Sequence, residues 1–111
     1  MRYAIMILAL VGVLALPRPA AALDGNELLD RCTHEDEAVE LWCMGYASGW
    51  HGRNAIRAKG DSNPICFPEA RASQFKDVLV KYLKNHPETR HQHAVLLTFK
   101  AFKEAFPCPK N

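Results

Sequence analysis

The chain has 111 residues, with 14 lysines and arginines against 12 aspartates and glutamates, giving a formal charge of +2. Arg2 and Arg18 fall in an N-terminal segment that reads as a removable signal, so the remainder is formally neutral, which argues against a nucleic-acid partner, since phosphate binding needs a basic excess. The part that remains, residues 23–111, is long enough for one small domain, whose narrow stability margin favours covalent staples.

Residues 1–22 begin with the basic Arg2, continue with an apolar run over 4–16 and end on Ala20, Ala21 and Ala22. This is the layout of a secretory signal peptide, with cleavage expected after Ala22. The apolar run is too short for a membrane span, so no membrane association is expected of the mature chain. Export carries Cys32, Cys43, Cys66 and Cys108 into an oxidising compartment, where four thiols in a small domain predict two disulfides. The expected pairing is Cys32–Cys108 and Cys43–Cys66: the first ties a weak leading helix to the chain end, the second anchors a long loop.

Leu28, Leu29 and Cys32 fit one face of a short first helix. Thr33 and Asp36 have capping-box spacing, which predicts a second helix from about Glu35 that buries Val39, Trp42, Cys43, Tyr46 and Trp50. Gly45 and Gly49 predict close packing against another helix, and Gly52 predicts the end of the second one. Positions 24–40 hold seven carboxylates against Arg31 alone, a solvated helix face or a docking surface for a basic protein.

Residues 52–68 are rich in glycine, proline, asparagine and arginine, without periodicity, and longer than an ordinary connection. They read as a functional loop. Phe75, Val78, Leu79, Tyr82 and Leu83 then form a helical stripe with Ser73 as its N-cap. Asn85, His86 and Pro87 break the chain, and Pro87 suits the first turn of a last helix lined by Val95, Phe99, Phe102 and Phe106 and stopped by Pro107. No stretch alternates like a strand. The fold class is all-α: a small four-helix domain stapled by two disulfides.

Catalysis finds little support, for there is no CxxC pair, HExxH or phosphate-cradling glycine loop. No cofactor and no metal is expected. His86, His91 and His93 cluster in sequence, but spacing does not bring them to one ion. The Trp42/Tyr46/Trp50 and Phe99/Phe102/Phe106 stripes read as core, with some rings shared across a homodimer interface.

The motifs combine into a family pattern. Gly25-Asn26 precedes Leu28-Leu29 and Cys32; Cys43-Met44-Gly45-Tyr46 and Gly49 follow; then come Cys66-Phe67-Pro68, Gln74 and Asp77-Val78. The pattern closes with Lys81-Tyr82-Leu83, His86-Pro87-Glu88, Arg90-His91, Ala94 and Ala105-Phe106-Pro107-Cys108. Over essentially the whole mature chain this resembles the Rap/Tai family of immunity proteins, small exported helical proteins that protect bacteria against peptidoglycan amidases delivered by type VI secretion. The resemblance implies a helical, disulfide-bonded and commonly dimeric domain in the periplasm.

It also implies a binding role in place of chemistry. The expected partner-binding residues are His51, Arg53, Asn54, Arg57, Lys59 and Asp61, on a loop that covers or enters the cleft of a toxic hydrolase. A different class of function, a periplasmic acid or stress chaperone, is suggested by the five histidines and the carboxylate-rich start.

Overall fold

The computed structural model describes residues 22–56 and 65–109, with side chains as far as Gly52 in the first stretch. Four α-helices follow in order: α1 (Gly25–Cys32), α2 (Glu37–Ile56), α3 (Ala72–Asn85) and α4 (Ala94–Ala105), with a 3-10 turn over Pro87–Thr89 before α4. Pairing of extended backbone among the described residues is limited to isolated bridges, Asp24 with His93 and Ile65 with Pro107. The all-α, four-helix, two-disulfide expectation holds.

Helix α1 starts where Asp24 Oδ1 accepts the Glu27 amide at 2.9 Å. Its other early amides are satisfied from far along the chain: Gly25 N–H donates to the Gln92 carbonyl and Asn26 N–H to the Arg90 carbonyl, each at 3.0 Å. Thr33 does not open the second helix as its spacing predicts. It closes the first, its amide and its hydroxyl both donating to the Leu29 carbonyl. Asp36 is the residue that starts α2, with Oδ1 accepting the Ala38 amide at 2.8 Å. Likewise Ser73 lies inside α3, whose entry is made by Gln74 Oε1 accepting the Arg71 amide at 2.9 Å.

The core is formed by Leu28 of α1, Cys43 and Ala47 of α2, Phe75, Leu79 and Leu83 of α3, and Ala94, Leu97, Ala101 and Phe102 of α4. The stripe read from the sequence of α3 is therefore correct. That of α4 is rotated: Val95 is 63% exposed and Phe99 only half-buried, while Leu97, Thr98 and Ala101 face inward. In α2 the buried positions are Cys43, as the sequence predicts, and Ala47, while Trp42 is 40% exposed. Gly52 does not end α2, which runs on to Ile56. Among the described residues, Gly45, Gly49 and Gly52 have no neighbour that an added β-carbon would meet within 4 Å, so the close helix packing that the sequence predicts for Gly45 and Gly49 is not found there.

The disulfide pairing differs from the expectation. Cys32 pairs with Cys43 across the α1–α2 turn, Cα atoms 5.2 Å apart, and Cys66 pairs with Cys108 at 4.9 Å. The turn between α1 and α2 is short and both cysteines face the same buried seam, so proximity favours the local bond. The chain end is drawn to residue 66 by the Ile65–Pro107 bridge and by Cys66 N–H donating to the Phe106 carbonyl at 3.0 Å.

Helix α2 is held by its neighbours at several points. Glu40 accepts from Lys76 of α3 at 2.6 Å. Tyr46 and Thr98 hydroxyls meet at 3.0 Å, and the Trp50 ring meets the Phe102 ring edge-on at 6.3 Å. These two contacts advance four residues together along each helix, so α2 and α4 run in the same direction.

Candidate functional site

Two regions of α2 carry features suited to recognition. The first is its C-terminal end, where the sequence places the partner-binding residues. His51 is half-buried, stacked on Phe75 with centroids 5.8 Å apart and edge-on to Phe67 at 5.7 Å. Arg53 and Asn54 occupy the last turns of α2, and the placement of their side chains is outside the description. Arg57, Lys59 and Asp61 lie outside the described residues.

What is described is the base from which this segment departs. On the entry side, Trp50 and His51 pack into a ring cluster of Phe67, Phe75, Phe102 and Phe106, with Phe67 only 5.3 Å from Phe102. On the exit side, buried Ile65 and the Cys66–Cys108 bond fix the returning chain. Both ends are thus bound to the domain by aromatic packing and a covalent link.

The second region is an open groove of about 420 Å³ at the α1–α2 junction, lined by Asp30, Arg31, His34, Ala38, Val39 and Trp42. The Arg31 guanidinium lies 4.8 Å from the Trp42 ring centroid, and Tyr46 stacks on the same indole at 5.5 Å and 15°. The sequence flagged the carboxylates here but assigned Trp42 to the core. The four-residue spacing of Trp42, Tyr46 and Trp50 does not reveal that Ala47 takes a buried position.

A smaller hollow of about 230 Å³ opens between the C-terminal ends of α3 and α4, lined in part by Lys81, Tyr82, His86 and Glu104. His86 stacks on Tyr82 at 4.0 Å, and its Nδ1–H donates to the Tyr82 carbonyl at 2.8 Å. Burial first, then the Glu104 and Glu88 carboxylates, push the Tyr82 hydroxyl above its ordinary value. His86 in this arrangement closes the last turn of α3. His91 and His93 are exposed, and among the described residues no three His, Cys, Asp or Glu side chains form a metal-binding group. None of the described helices is long and apolar enough to cross a membrane.

The sequence motifs meet in this architecture. Gly25-Asn26 bonds to the backbone of the segment that follows His86-Pro87-Glu88, and Cys66-Phe67 packs on Phe106 and Cys108. A family model described as Rap1a immunity proteins matches residues 24–108. The match spans the helical domain from the N-cap of α1 to the last cysteine, and the chain belongs to that family. No curated protein and no solved structure matches the chain.

Proposed function

We propose that this member of the Rap1a immunity proteins is a periplasmic protein that binds and occludes a peptidoglycan amidase delivered by type VI secretion. The observation that carries the reading is the family match over residues 24–108. An immunity protein acts by holding a cognate effector toxin, and occlusion of a cleft requires no catalytic group of its own. The two disulfides suit an oxidising compartment, and residues 1–22 have the layout of a signal that delivers the chain there.

The recognition segment is 51–61, with His51, Arg53, Asn54, Arg57, Lys59 and Asp61 as its polar side chains. Its support is the clamped base: a binding segment whose ends are already fixed loses less conformational entropy on docking. The decisive experiment uses the mature chain and a purified peptidoglycan amidase of the type VI effector class. The wild type is expected to capture the hydrolase and stop it cleaving peptidoglycan. Arg53→Glu combined with Arg57→Glu is expected to raise the dissociation rate and leave the melting temperature unchanged. Unaltered capture by that double mutant would remove the segment from the interface. Protection of unrelated clients at acid pH, by a chain that captures no hydrolase, would support the chaperone reading instead.

A further inference from the structure

The groove at the α1–α2 junction combines an exposed indole with the Asp30 carboxylate, and Glu27, Glu35 and Glu37 are near it in sequence. Trp42, which lines it, is 40% exposed, and the next residue back along α2, Leu41, is 56% exposed. Trp42 is nevertheless held in place. Arg31 lies over the ring, Tyr46 stacks on it, the Tyr46 hydroxyl meets Thr98 Oγ1, and that hydroxyl donates to the Ala94 carbonyl at 2.7 Å. The Cys32–Cys43 bond fixes the two helices that form the walls. A large aromatic ordered before binding has little rotamer entropy left to lose, which is the profile of an interface anchor.

Along the stretch that carries this anchor, positions 24–40, carboxylates outnumber the one arginine seven to one. Asp24 and Asp36 are engaged at helix starts and Glu40 is paired with Lys76. Glu27, Asp30, Glu35 and Glu37 are exposed and have no ion pair among the described residues, while Arg31 is spent on Trp42. A second copy of this chain docking by a two-fold axis through the groove would set carboxylates against carboxylates. A basic surface that also carries a large apolar side chain suits the Asp30 carboxylate and the apolar floor of Ala38, Val39 and Trp42.

We infer that the α1–α2 groove is a second effector-docking surface, taking a lysine or arginine of the hydrolase together with a neighbouring large apolar side chain. The inference rests on the immunity reading and adds to it a surface separate from 51–61. Trp42 and Ile56 are separated by about 20 Å along α2 at 1.5 Å per residue. One protein partner of ordinary interface size reaches both.

Binding kinetics of the purified peptidoglycan amidase captured by the wild-type chain test this, at about 50 and about 300 mM salt. With wild-type chain, association is expected to slow at the higher salt. Asp30→Lys with Glu35→Lys should slow association about tenfold at low salt and flatten the salt dependence, and Trp42→Ala should speed dissociation about tenfold. Unchanged circular dichroism in the charge variant separates loss of docking from loss of fold. Wild-type binding with both variants indistinguishable from it overturns this inference alone. A wild type that captures no hydrolase overturns the immunity reading and this inference with it. A dimer that Trp42→Ala splits in sedimentation, without effect on hydrolase binding, makes the groove a self-interface and overturns the inference too.

Discussion

Gly25 packs so closely against Arg90 that a β-carbon on Gly25 would stand 2.8 Å from the Arg90 carbonyl oxygen and 3.0 Å from the Arg90 Cα. The Leu97 side chain closes the same space. Both contacting atoms of Arg90 are backbone, and the backbone is held by the Asn26 amide on that carbonyl. The first helix and the turn before the last one are joined at this point.

Alanine substitutions at Gly25 and Gly49 are therefore expected to have opposite signs. Gly25→Ala forces the α1 start away from the 86–93 turn and should cost about 1–3 kcal/mol, the usual range for overpacking. Gly49 sits exposed within α2 with open space around it, so Gly49→Ala should stabilise by about 0.5–1 kcal/mol through helix propensity and a less flexible unfolded chain. Urea unfolding of the two variants beside the parent decides it.

The rotation of α4 makes a second contrast. Phe102 is fully buried against Trp50, Phe67, Phe75 and Phe106, whereas Phe99 is half-buried with Lys103 over its ring at 5.7 Å. Phe102→Ala should cost about 3–5 kcal/mol. Phe99→Ala should cost about 1 kcal/mol, since much of that ring already faces water. Equal losses in thermal or urea unfolding would show that α4 presents a different face.

These positions also show which parts of the fold were legible. In α3 the large apolar residues are the buried ones, so Phe75, Leu79 and Leu83 announce the core directly. In α4 and α2 the buried positions mix the large Leu97 and Phe102 with the small Ala94, Thr98, Ala101, Cys43 and Ala47, and the size of a side chain stops reporting its direction. Trp42, Val95 and Phe99 then look like core in sequence. The acidic character of positions 24–40 was readable as a docking surface, but its apolar centre was not, because that depended on Trp42 facing out. Glycine was misleading for a similar reason: Gly25 has the close approach, and the helical Gly45 and Gly49 have none.

Disulfide pairing is a topological property that residue spacing does not determine. With Cys32–Cys43 closing 11 residues and Cys66–Cys108 closing 42, loop-entropy arguments assign the bonds about 3 and about 4 kcal/mol respectively. Replacing Cys66 and Cys108 together by alanine should thus destabilise more than replacing Cys32 and Cys43, by about 1 kcal/mol in urea unfolding. Non-reducing peptide mapping gives the pairing independently: a peptide linking Cys32 to Cys108 would contradict the structure.

The last prediction concerns alkaline stability. Tyr82 holds its proton to higher pH in the folded chain than in the unfolded one, because the hydroxyl is partly buried and faces the Glu104 and Glu88 carboxylates. Above the ordinary tyrosine value of about 10, the unfolded chain releases this proton first, so unfolding is favoured as pH rises. The stabilising contribution is complete below about pH 10 and disappears as pH passes through the raised folded value. Tyr82→Phe keeps a ring to stack on His86 and cannot ionise. Compared by urea unfolding at about pH 8 and about pH 11, the parent should lose more stability than Tyr82→Phe over that interval. Parallel losses in the two proteins would show that the Tyr82 proton is not coupled to folding, and that the α3–α4 hollow is open enough to solvate a phenolate.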